Sequence, residues 1–282
     1  MNRQKSFEND KSTLYLVATP IGNLEEMTYR SVRILSEVDF IAAEDTRNTI
    51  KILNHFGIKK KLISHHEHNI EVSSKKIVEL LQEGHSIALV SDAGYPAISD
   101  PGYELVLKVI EAGFNVVPIS GANACLDALI VSGISPQPFI FYGFLNHSDK
   151  IKKKELESLK KYKETLVFYE SPHRIKKTLT LLLEYFGNRP IALCRELTKK
   201  HEEIIRGNVQ EMLDIVDTIK GEMVLVVEGS KEEDEVVEFE LPLKEQVELY
   251  IEEGMTSKEA IKKVAKERNI PKNEVYAAYH IE

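Results

Sequence analysis

The feature that most constrains the fold is an alternation of short β-branched runs with longer amphipathic stretches between Leu14 and Ser120. This alternation is typical of a parallel sheet whose strands are joined by crossover helices. The sequence predicts five strands, each apolar enough to be covered on both faces: Leu14–Ala18, Phe40–Ala43, Lys61–Ser64, Ser86–Val90 and Asn115–Pro118. An N-terminal α/β domain is therefore expected.

The alternation of strand and helix patterns is interrupted at residues 135–138, where two prolines flank Gln137. A boundary at this point predicts one domain at residues 13–138 and a second α/β domain at residues 139–230. The second domain is expected to contain strands Thr165–Tyr169, Ile191–Arg195 and Met223–Val227. Between the first two of these strands, apolar residues repeat at helical spacing, at Ile175, Leu179, Leu182 and Phe186.

The remainder of the chain predicts a small helical tail at residues 241–282, joined by an acidic linker at residues 231–240. Three helices are expected in the tail: Lys244–Glu253, Ser257–Arg268 and a last one from Pro271 to Tyr279. Thr256 and Glu259 form a capping-box pattern in front of the second helix. Two short helices joined by a turn can form a helix-turn-helix, but a packing cap on the second domain is the favoured interpretation because helix pairs are common.

The composition is that of an ordinary globular protein, with 43% hydrophobic and 29% charged residues. Two cysteines are too few for a disulfide framework, which favours the reducing cytoplasm. The N-terminus is polar, and no apolar run reaches the ~20 residues that a membrane span requires. A cytoplasmic protein without a membrane partner is therefore expected.

The net charge of -8 argues against a nucleic-acid binder that is basic over its whole surface. Residues 150–177, however, contain ten Lys or Arg residues and four Glu residues. Lys152, Lys153 and Lys154 in this stretch can neutralise phosphates of RNA. A solvated helix face explains the same charges equally well, so both interpretations stay open.

The loops at the carboxyl ends of the strands are the expected ligand site, because helix N-termini and loops converge there in open α/β sheets. The first loop, residues 19–24, has one glycine and a proline, so it lacks the fingerprint of a dinucleotide-binding loop. The loop at residues 91–102 contains two glycines, two prolines, Asp92 and Asp100. Its glycines permit close approach to a ligand, and its carboxylates can accept hydrogen bonds from ribose hydroxyls or an amino group.

Three polar clusters at strand ends predict an active site between the two domains. They are residues 44–47, 170–174 and 195–199, and each combines a carboxylate with an arginine. Asp45 or Glu170 can accept a proton, although Asp45 is also a good helix N-cap. Arg47, Arg174 and Arg195 can bind phosphates.

A zinc site at His65, His66 and His68 is not expected. These histidines have no matching cysteine set and no helical HExxH pattern. The active site is therefore predicted at the polar clusters that follow the strands, and no metal is expected there.

Several segments occur in an order that is familiar from one protein family: TPIGNL, AEDTR, SDAGYPAISDPG, VVPISGANA, YGFL, FYESPHR, RELTK and GEMVLVVEG. The chain resembles the ribosomal RNA small subunit methyltransferase I family, within the tetrapyrrole methylase superfamily. The likeness runs from Leu14 to Gly229 and weakens in the tail. Because the segments are long and ordered, the resemblance is highly specific.

The resemblance implies two α/β domains, with a parallel first sheet and a mixed second sheet. It also implies S-adenosylmethionine bound in the cleft between them, a homodimer, and 2'-O-methylation of a cytidine ribose in 16S rRNA of the small ribosomal subunit. The expected catalytic residues are then Asp45, Glu170 and Arg47, and the chemistry requires no metal. Arg174, Arg195 and Lys199 join the three lysines as expected RNA contacts.

The resemblance places the cofactor on three loops of the first domain. The residues expected to bind it are Pro20, Ile21, Gly22, Asp92, Gly94, Tyr95, Ile98, Ser120 and Gly121. Two positions depart from the family: Ser120-Gly121-Ala122 stands where relatives commonly carry a proline-glycine-proline run, and Tyr95 replaces a smaller residue. Two rival functions stay open: a tetrapyrrole C-methyltransferase, and a non-catalytic DNA-binding regulator that uses the C-terminal helices.

Overall fold

The computed structural model describes residues 3–232, 241–268 and 270–280. The chain divides into two compact units, Met1–Ser230 and Lys231–Glu282. The larger unit holds both sheets, and the smaller unit holds the helical tail. The predicted boundary at residue 138 falls within the larger unit, and we retain it as a proposal about where the two sheets separate.

The first sheet has five parallel strands in the order β3-β2-β4-β1-β5. The strands are β1 (Thr13–Val17), β2 (Phe40–Ala43), β3 (Lys61–Ser64), β4 (Ile87–Val90) and β5 (Asn115–Ile119). All five predicted strands are confirmed to within one residue at each end. Their alternate residues are buried in separate cores on the two faces of the sheet, which explains why the strands are apolar throughout.

Five helices connect and follow these strands: α1 (Tyr29–Glu37), α2 (Thr46–His55), α3 (Ile70–Gln82), α4 (Tyr103–Glu111) and α5 (Ala124–Val131). Gly113, at φ +82°, follows α4 as expected for a glycine at a helix end. The crossovers bring the loops after the strands to one edge of the sheet.

The second sheet is mixed and has the order β6-β7-β10-β8-β9. Its strands are β6 (Phe139–Phe144), β7 (Thr165–Glu170), β8 (Pro190–Arg195), β9 (Glu203–Asn208) and β10 (Met223–Val227). β6 and β7 are parallel, and the other pairs are antiparallel. The sequence does not predict β9, because this edge strand is only partly buried and carries charges and a glycine.

The helices of the second half are α6 (Asp149–Leu159), α7 (Ile175–Phe186) and α8 (Val209–Ile215). They cover one face of the second sheet, where Leu156 and Leu179 lie in a core with Phe168 and Leu225. The four residues with predicted helical spacing on α7 are all buried in this core, which confirms the helix and its inner face.

The opposite face of the second sheet packs against α5, which follows the last strand of the first sheet. Cys125 and Ala128 of α5 share a core with Val167, Cys194 and Val224. Within the larger unit, α5 therefore links the two sheets through its buried side.

The tail unit contains α9 (Leu243–Glu252), α10 (Ser257–Glu267) and α11 (Lys272–His280). Val247, Ile261, Val264 and Val275 form a small core of its own. The predicted capping box is confirmed, since Thr256 Oγ1 accepts a hydrogen bond from the Glu259 amide and the Glu259 carboxylate accepts one from the Thr256 amide. Most of the predicted linker, residues 233–240, lies outside the described residues.

Within the described part of the chain, no helix has the length and apolar character needed to cross a membrane.

Candidate active site

A cavity of about 620 Å³ lies between loops of the first sheet and the uncovered part of the second sheet. Ile21, Gly94 and Asp100 contribute from loops of the first sheet, while Tyr169 and Val224 contribute from the second. The volume lies in the range of roughly 300 to 1,000 Å³ that is usual for small-molecule sites. The sequence prediction of a site at this sheet edge, shared by two α/β layers, agrees with this position.

Four of the nine expected cofactor residues line the cavity: Ile21, Gly94, Tyr95 and Ile98. The other five support the loops around it. Pro20, which precedes Ile21, is buried. The carbonyl oxygen of Ser120 accepts a long hydrogen bond of 3.4 Å from the Thr28 hydroxyl. Asp92 accepts a hydrogen bond from Asn48 Nδ2 at 2.9 Å.

The loops after β1, β4 and β5 are tied to one another by hydrogen bonds. Thr19 and Gly94 exchange two backbone bonds of 2.9 and 3.0 Å. The Gly121 amide donates to the Tyr95 hydroxyl at 3.1 Å, so this tyrosine bridges two of the loops. A Cβ on Gly121 would lie 2.8 Å from Cβ of Ala18, which explains why a glycine is needed there.

The loop after β8 closes against the loop after β1. A Cβ on Gly22 would lie 2.4 Å from Cγ of Lys199, and Gly22 has a φ of +157°. Lys199 lines the cavity, and its ammonium pairs with Glu222 at 2.7 Å and Glu196 at 3.2 Å. Gly22 therefore makes room for a lysine whose charge is already compensated.

Strained backbone is concentrated at the cavity. In the described residues, the non-glycine residues with positive φ are Ala97 (69°), Glu196 (50°) and Thr198 (68°). Glu196 lines the cavity, Ala97 precedes the lining residue Ile98, and Thr198 lies between the lining residues Leu197 and Lys199. Such conformations cost about 1 to 3 kcal/mol each and cluster at functional sites.

The electrostatics of the cavity mouth favour a cationic or hydrogen-bond-donating ligand. Burial raises the pKa of Asp100, with a further contribution from Asp92. Burial also raises the pKa of Glu44, helped by repulsion from Asp100 and Asp92. Because acids with raised pKa values cluster at functional sites, this edge of the sheet is the strongest position for proton chemistry.

The two cysteines of the chain, by contrast, are unsuited to nucleophilic chemistry. Burial raises the pKa of both the Cys125 and Cys194 thiols to about 11. Both residues line the cavity and stay protonated near neutral pH. The two thiols therefore form part of the apolar wall of the cavity.

The comparisons with known proteins agree with the sequence resemblance. The family model for Tetrapyrrole (Corrin/Porphyrin) Methylases matches residues 13–213. Ribosomal RNA small subunit methyltransferase I of Bacillus subtilis (strain 168) is 58% identical over 290 residues, which cover 100% of this chain and 99% of that protein. The protein of the same name from Halalkalibacterium halodurans is 54% identical, with 100% of both chains covered. The chain belongs to this methyltransferase family.

A solved structure supports the fold assignment independently. Uroporphyrin-III-C-methyltransferase from Thermus thermophilus aligns with a TM-score of 0.54 at 21% identity, covering 77% of this chain and 94% of that chain. At this identity the likeness concerns the fold of the methylase alone.

The carboxylate of Glu170 is held in a buried network beside the cavity. Glu170 borders the cavity, but its side chain is 1% exposed and shares the helix-covered face of the sheet with Phe168, two residues earlier. The carboxylate accepts hydrogen bonds from Thr178 Oγ1 (2.6 Å) and the Ser171 amide (2.8 Å) and pairs with Arg174 Nε (3.2 Å). These contacts anchor the end of β7, and a role for Glu170 as base stays a prediction.

Asp45 and Arg47 lie at the edge of the first sheet but do not line the cavity. The Asp45 carboxylate caps α2 by accepting from the Arg47 amide at 2.8 Å, and it pairs with Arg47 Nη2 at 2.6 Å. Hydrogen bonds from Arg47 lower the pKa of Asp45 to about 2, which makes this carboxylate a weak proton acceptor.

The expected RNA contacts of the methylase fall into different environments. Lys152 is 2% exposed, donates to Thr178 Oγ1 at 3.2 Å, and has a pKa lowered by burial, so the expected phosphate contact is corrected for this residue. Arg174 donates to the Leu145 carbonyl, and Arg195 pairs with Glu203. Lys153 is exposed and pairs with Glu184 at 3.7 Å. Lys154 is exposed, with no ion pair to a described residue.

Glu196 belongs to the predicted cluster at residues 195–199, and it lines the cavity together with two residues that the sequence did not single out, Glu222 and Tyr169. Glu196 follows β8, Glu222 precedes β10, and Tyr169 lies on β7. Their proximity depends on strand order in the second sheet, which no local pattern specifies. Asp100 stands in the predicted loop, where its raised pKa distinguishes it only once its burial is known.

Proposed function

We propose that this chain is an S-adenosylmethionine-dependent methyltransferase that modifies the ribose 2'-oxygen of a cytidine in 16S rRNA of the small ribosomal subunit. The observation that carries the proposal is the cavity between the two sheets, in a chain that is 58% identical to a ribosomal RNA methyltransferase over its whole length. A cytoplasmic location follows from that substrate.

The cavity suits S-adenosylmethionine by its size and by the chemistry of its wall. Ile21, Ile98 and Phe141 offer apolar surface for an adenine, and the Asp100 carboxylate can accept hydrogen bonds from ribose hydroxyls or an ammonium. A ligand cation gains from nearby carboxylates and from aromatic faces such as Tyr169. We assign the cofactor contacts to Ile21, Gly94, Tyr95 and Ile98, with Pro20, Gly22, Asp92, Ser120 and Gly121 holding their loops.

The cofactor supplies a methyl group on a sulfonium, which an oxygen nucleophile takes by in-line displacement. The protein must hold the nucleophile about 3 to 3.5 Å from the methyl carbon and keep water out, which accounts for most of the acceleration. A base that accepts the hydroxyl proton adds roughly 10²- to 10⁴-fold.

Asp100 replaces Asp45 and Glu170 as the first choice for that base. Asp100 lines the cavity, and burial raises the pKa of its carboxylate. A raised pKa makes a carboxylate a better proton acceptor near neutral pH. Asp45 and Arg47 are then assigned to positioning at the rim.

Incubation with labelled S-adenosylmethionine and either small ribosomal subunits or a precorrin tests the substrate. Label in the rRNA, mapped to a 2'-O-methyl cytidine, is the expected result. Label in the precorrin alone would establish the tetrapyrrole rival. If calorimetry detects no binding of S-adenosylmethionine, with or without subunits, the enzymatic proposal fails and the DNA-binding regulator becomes the leading alternative.

The homodimer is proposed on an exposed apolar face of α4. Tyr103, Leu107 and Ile110 recur at helical spacing and are 60%, 40% and 38% exposed. Such contiguous apolar surface marks interaction sites. Light scattering should show a dimer that Leu107→Glu converts to a monomer, whereas Ile215→Glu, on the exposed side of α8, should leave the dimer intact.

A further inference from the structure

The tail unit carries a one-sided distribution of charge. Residues 257–280 contain five lysines and one arginine against three glutamates. Lys258, Lys262 and Lys266 stand at spacings of four on α10 and are all exposed, so they form one ridge along the helix. The ridge is basic although the protein as a whole has a net charge of -8.

The glutamates near the ridge are already engaged elsewhere. Glu259 is held by the capping box of α10. Glu267 accepts hydrogen bonds from Tyr250 Oη at 2.8 Å and from Gln246 Nε2 at 3.0 Å, on the side of α9. The three ridge lysines are exposed and have no ion pair with any residue in the described part of the chain.

A groove next to the ridge combines cations with aromatic rings. It has a volume of about 320 Å³ and is lined by Ser257, Lys258, Ile261, Lys272, Tyr276 and His280. Lys272, Tyr276 and His280 are spaced four residues apart on α11, so they share one face of that helix. Glu274 lies on the other side of the helix. The Tyr276 and His280 rings are 4.2 Å apart, and Tyr276 is 56% exposed.

We propose that this ridge and groove form a binding site for single-stranded RNA, with the lysines on phosphates and Tyr276 stacked against a base. Cationic surface next to exposed aromatic rings is the usual combination for binding single-stranded nucleic acid. A lipid surface would require exposed aliphatic side chains, whereas Ile261 in the groove is buried. The choice of RNA rests on the proposed function, because the cleft would then act on the same class of substrate.

The full-length chain with Lys258→Gln, Lys262→Gln and Lys266→Gln tests the site. A matched control carries Lys59→Gln, Lys75→Gln and Lys76→Gln, three exposed lysines of the first α/β layer with the same change in charge. Binding to a short single-stranded RNA of mixed sequence is measured over a series of salt concentrations without cofactor. The ridge variant should lower the salt slope by about 2, at roughly 0.7 per lost phosphate contact, and the control should not.

A second variant, Tyr276→Ala, tests stacking against the fully exposed control Tyr29→Ala. Loss of one stacked base should weaken RNA binding about five-fold or more. In methylation assays, the ridge variant should raise KM for small subunits while kcat stays unchanged.

The outcomes separate this site from the proposed function. Equal salt slopes for the ridge and control variants would overturn the RNA site, even if the wild-type chain methylates small subunits. Weaker binding to subunits with unchanged binding to free RNA would also overturn it, in favour of an acidic protein surface. RNA binding that depends on the ridge, in a chain that methylates no rRNA, would support the site and reject the proposed function.

Discussion

Glu170 and Lys152 illustrate how a polar residue near a site can serve the scaffold. They are joined through Thr178, with distances of 2.6 Å from its hydroxyl to Glu170 and 3.2 Å from Lys152 to it. Arg174 completes the group by pairing with Glu170. Such buried networks are costly when one member is removed, because the other charges stay buried.

Glu170→Gln should therefore lower the free energy of unfolding by about 3 kcal/mol, since Arg174 and Lys152 lose their shared carboxylate. Urea denaturation measures this change. The exposed pair Lys153–Glu184 provides the control, because Glu184→Gln should cost less than 1 kcal/mol. A loss of turnover in Glu170→Gln with unchanged stability would restore Glu170 as a catalytic residue.

Replacement of Asp100 should raise the stability of the protein, in contrast to replacement of Glu170, and the size of this effect should depend on pH. Its pKa is raised in the folded state, chiefly by burial, so the folded protein binds the proton more tightly than the unfolded chain. Asp100→Asn should consequently stabilise the protein at neutral pH, and this advantage should shrink as the pH falls through the folded-state pKa. Thermal unfolding over a pH series checks the sign.

The same substitution should reduce turnover by roughly 10²- to 10⁴-fold if Asp100 is the base. It should also remove the acid limb of the pH profile. Asp45→Asn is the comparison, since its side chain can still cap α2. Equal losses in both variants would argue against a special role for Asp100.

At the scale of elements, two loops from different sheets close on each other at Gly22 and Lys199. Gly22→Ala would press a Cβ against the lysine side chain and force the loops apart. We expect cofactor affinity to fall about ten-fold, equivalent to ~1.4 kcal/mol, in calorimetric titration.

Gly84→Ala is the matched control for the loop prediction. Gly84 also has a positive φ, of +94°, but a Cβ there would meet no atom within 4 Å. Both variants should lose stability through backbone strain. Cofactor affinity should fall only in Gly22→Ala, and an equal decrease in the control would show that strain alone is responsible.

At the scale of the larger unit, α5 links the two sheets. Ala128 is fully buried, and its carbonyl oxygen lies 3.8 Å from the Cys194 sulfur on the second sheet. Residues at the start of the same helix, including Asn123 and Leu126, line the cavity. A substitution that alters the packing of α5 against the second sheet should therefore also alter the shape of the cavity.

Ala128→Leu should overpack this contact and cost about 1 to 3 kcal/mol of folding stability. Because α5 would shift, cofactor affinity should decrease as well. Ile130→Leu, two residues away at a position that is 72% exposed, should change neither quantity. Denaturation and calorimetry on both variants test whether the helix couples fold and site.

The sequence by itself determined the elements of the first sheet, the helical face of α7 and the capping box of α10, because periodicity and caps are local signals. The ordered segments also predicted the family and the loops that surround the cavity. Only the tertiary structure decided which polar residues face the cavity. Glu170, Lys152 and Asp45 have the right chemistry, but strand alternation, burial and capping direct their charges elsewhere.

The approach of Glu196 and Glu222 likewise depends on pairing between distant strands. A local sequence pattern specifies the type of an element and its inner face, whereas contacts between elements depend on the long-range order of strands and on packing. For that reason the loops of the site were predictable, and the roles of their individual side chains were not.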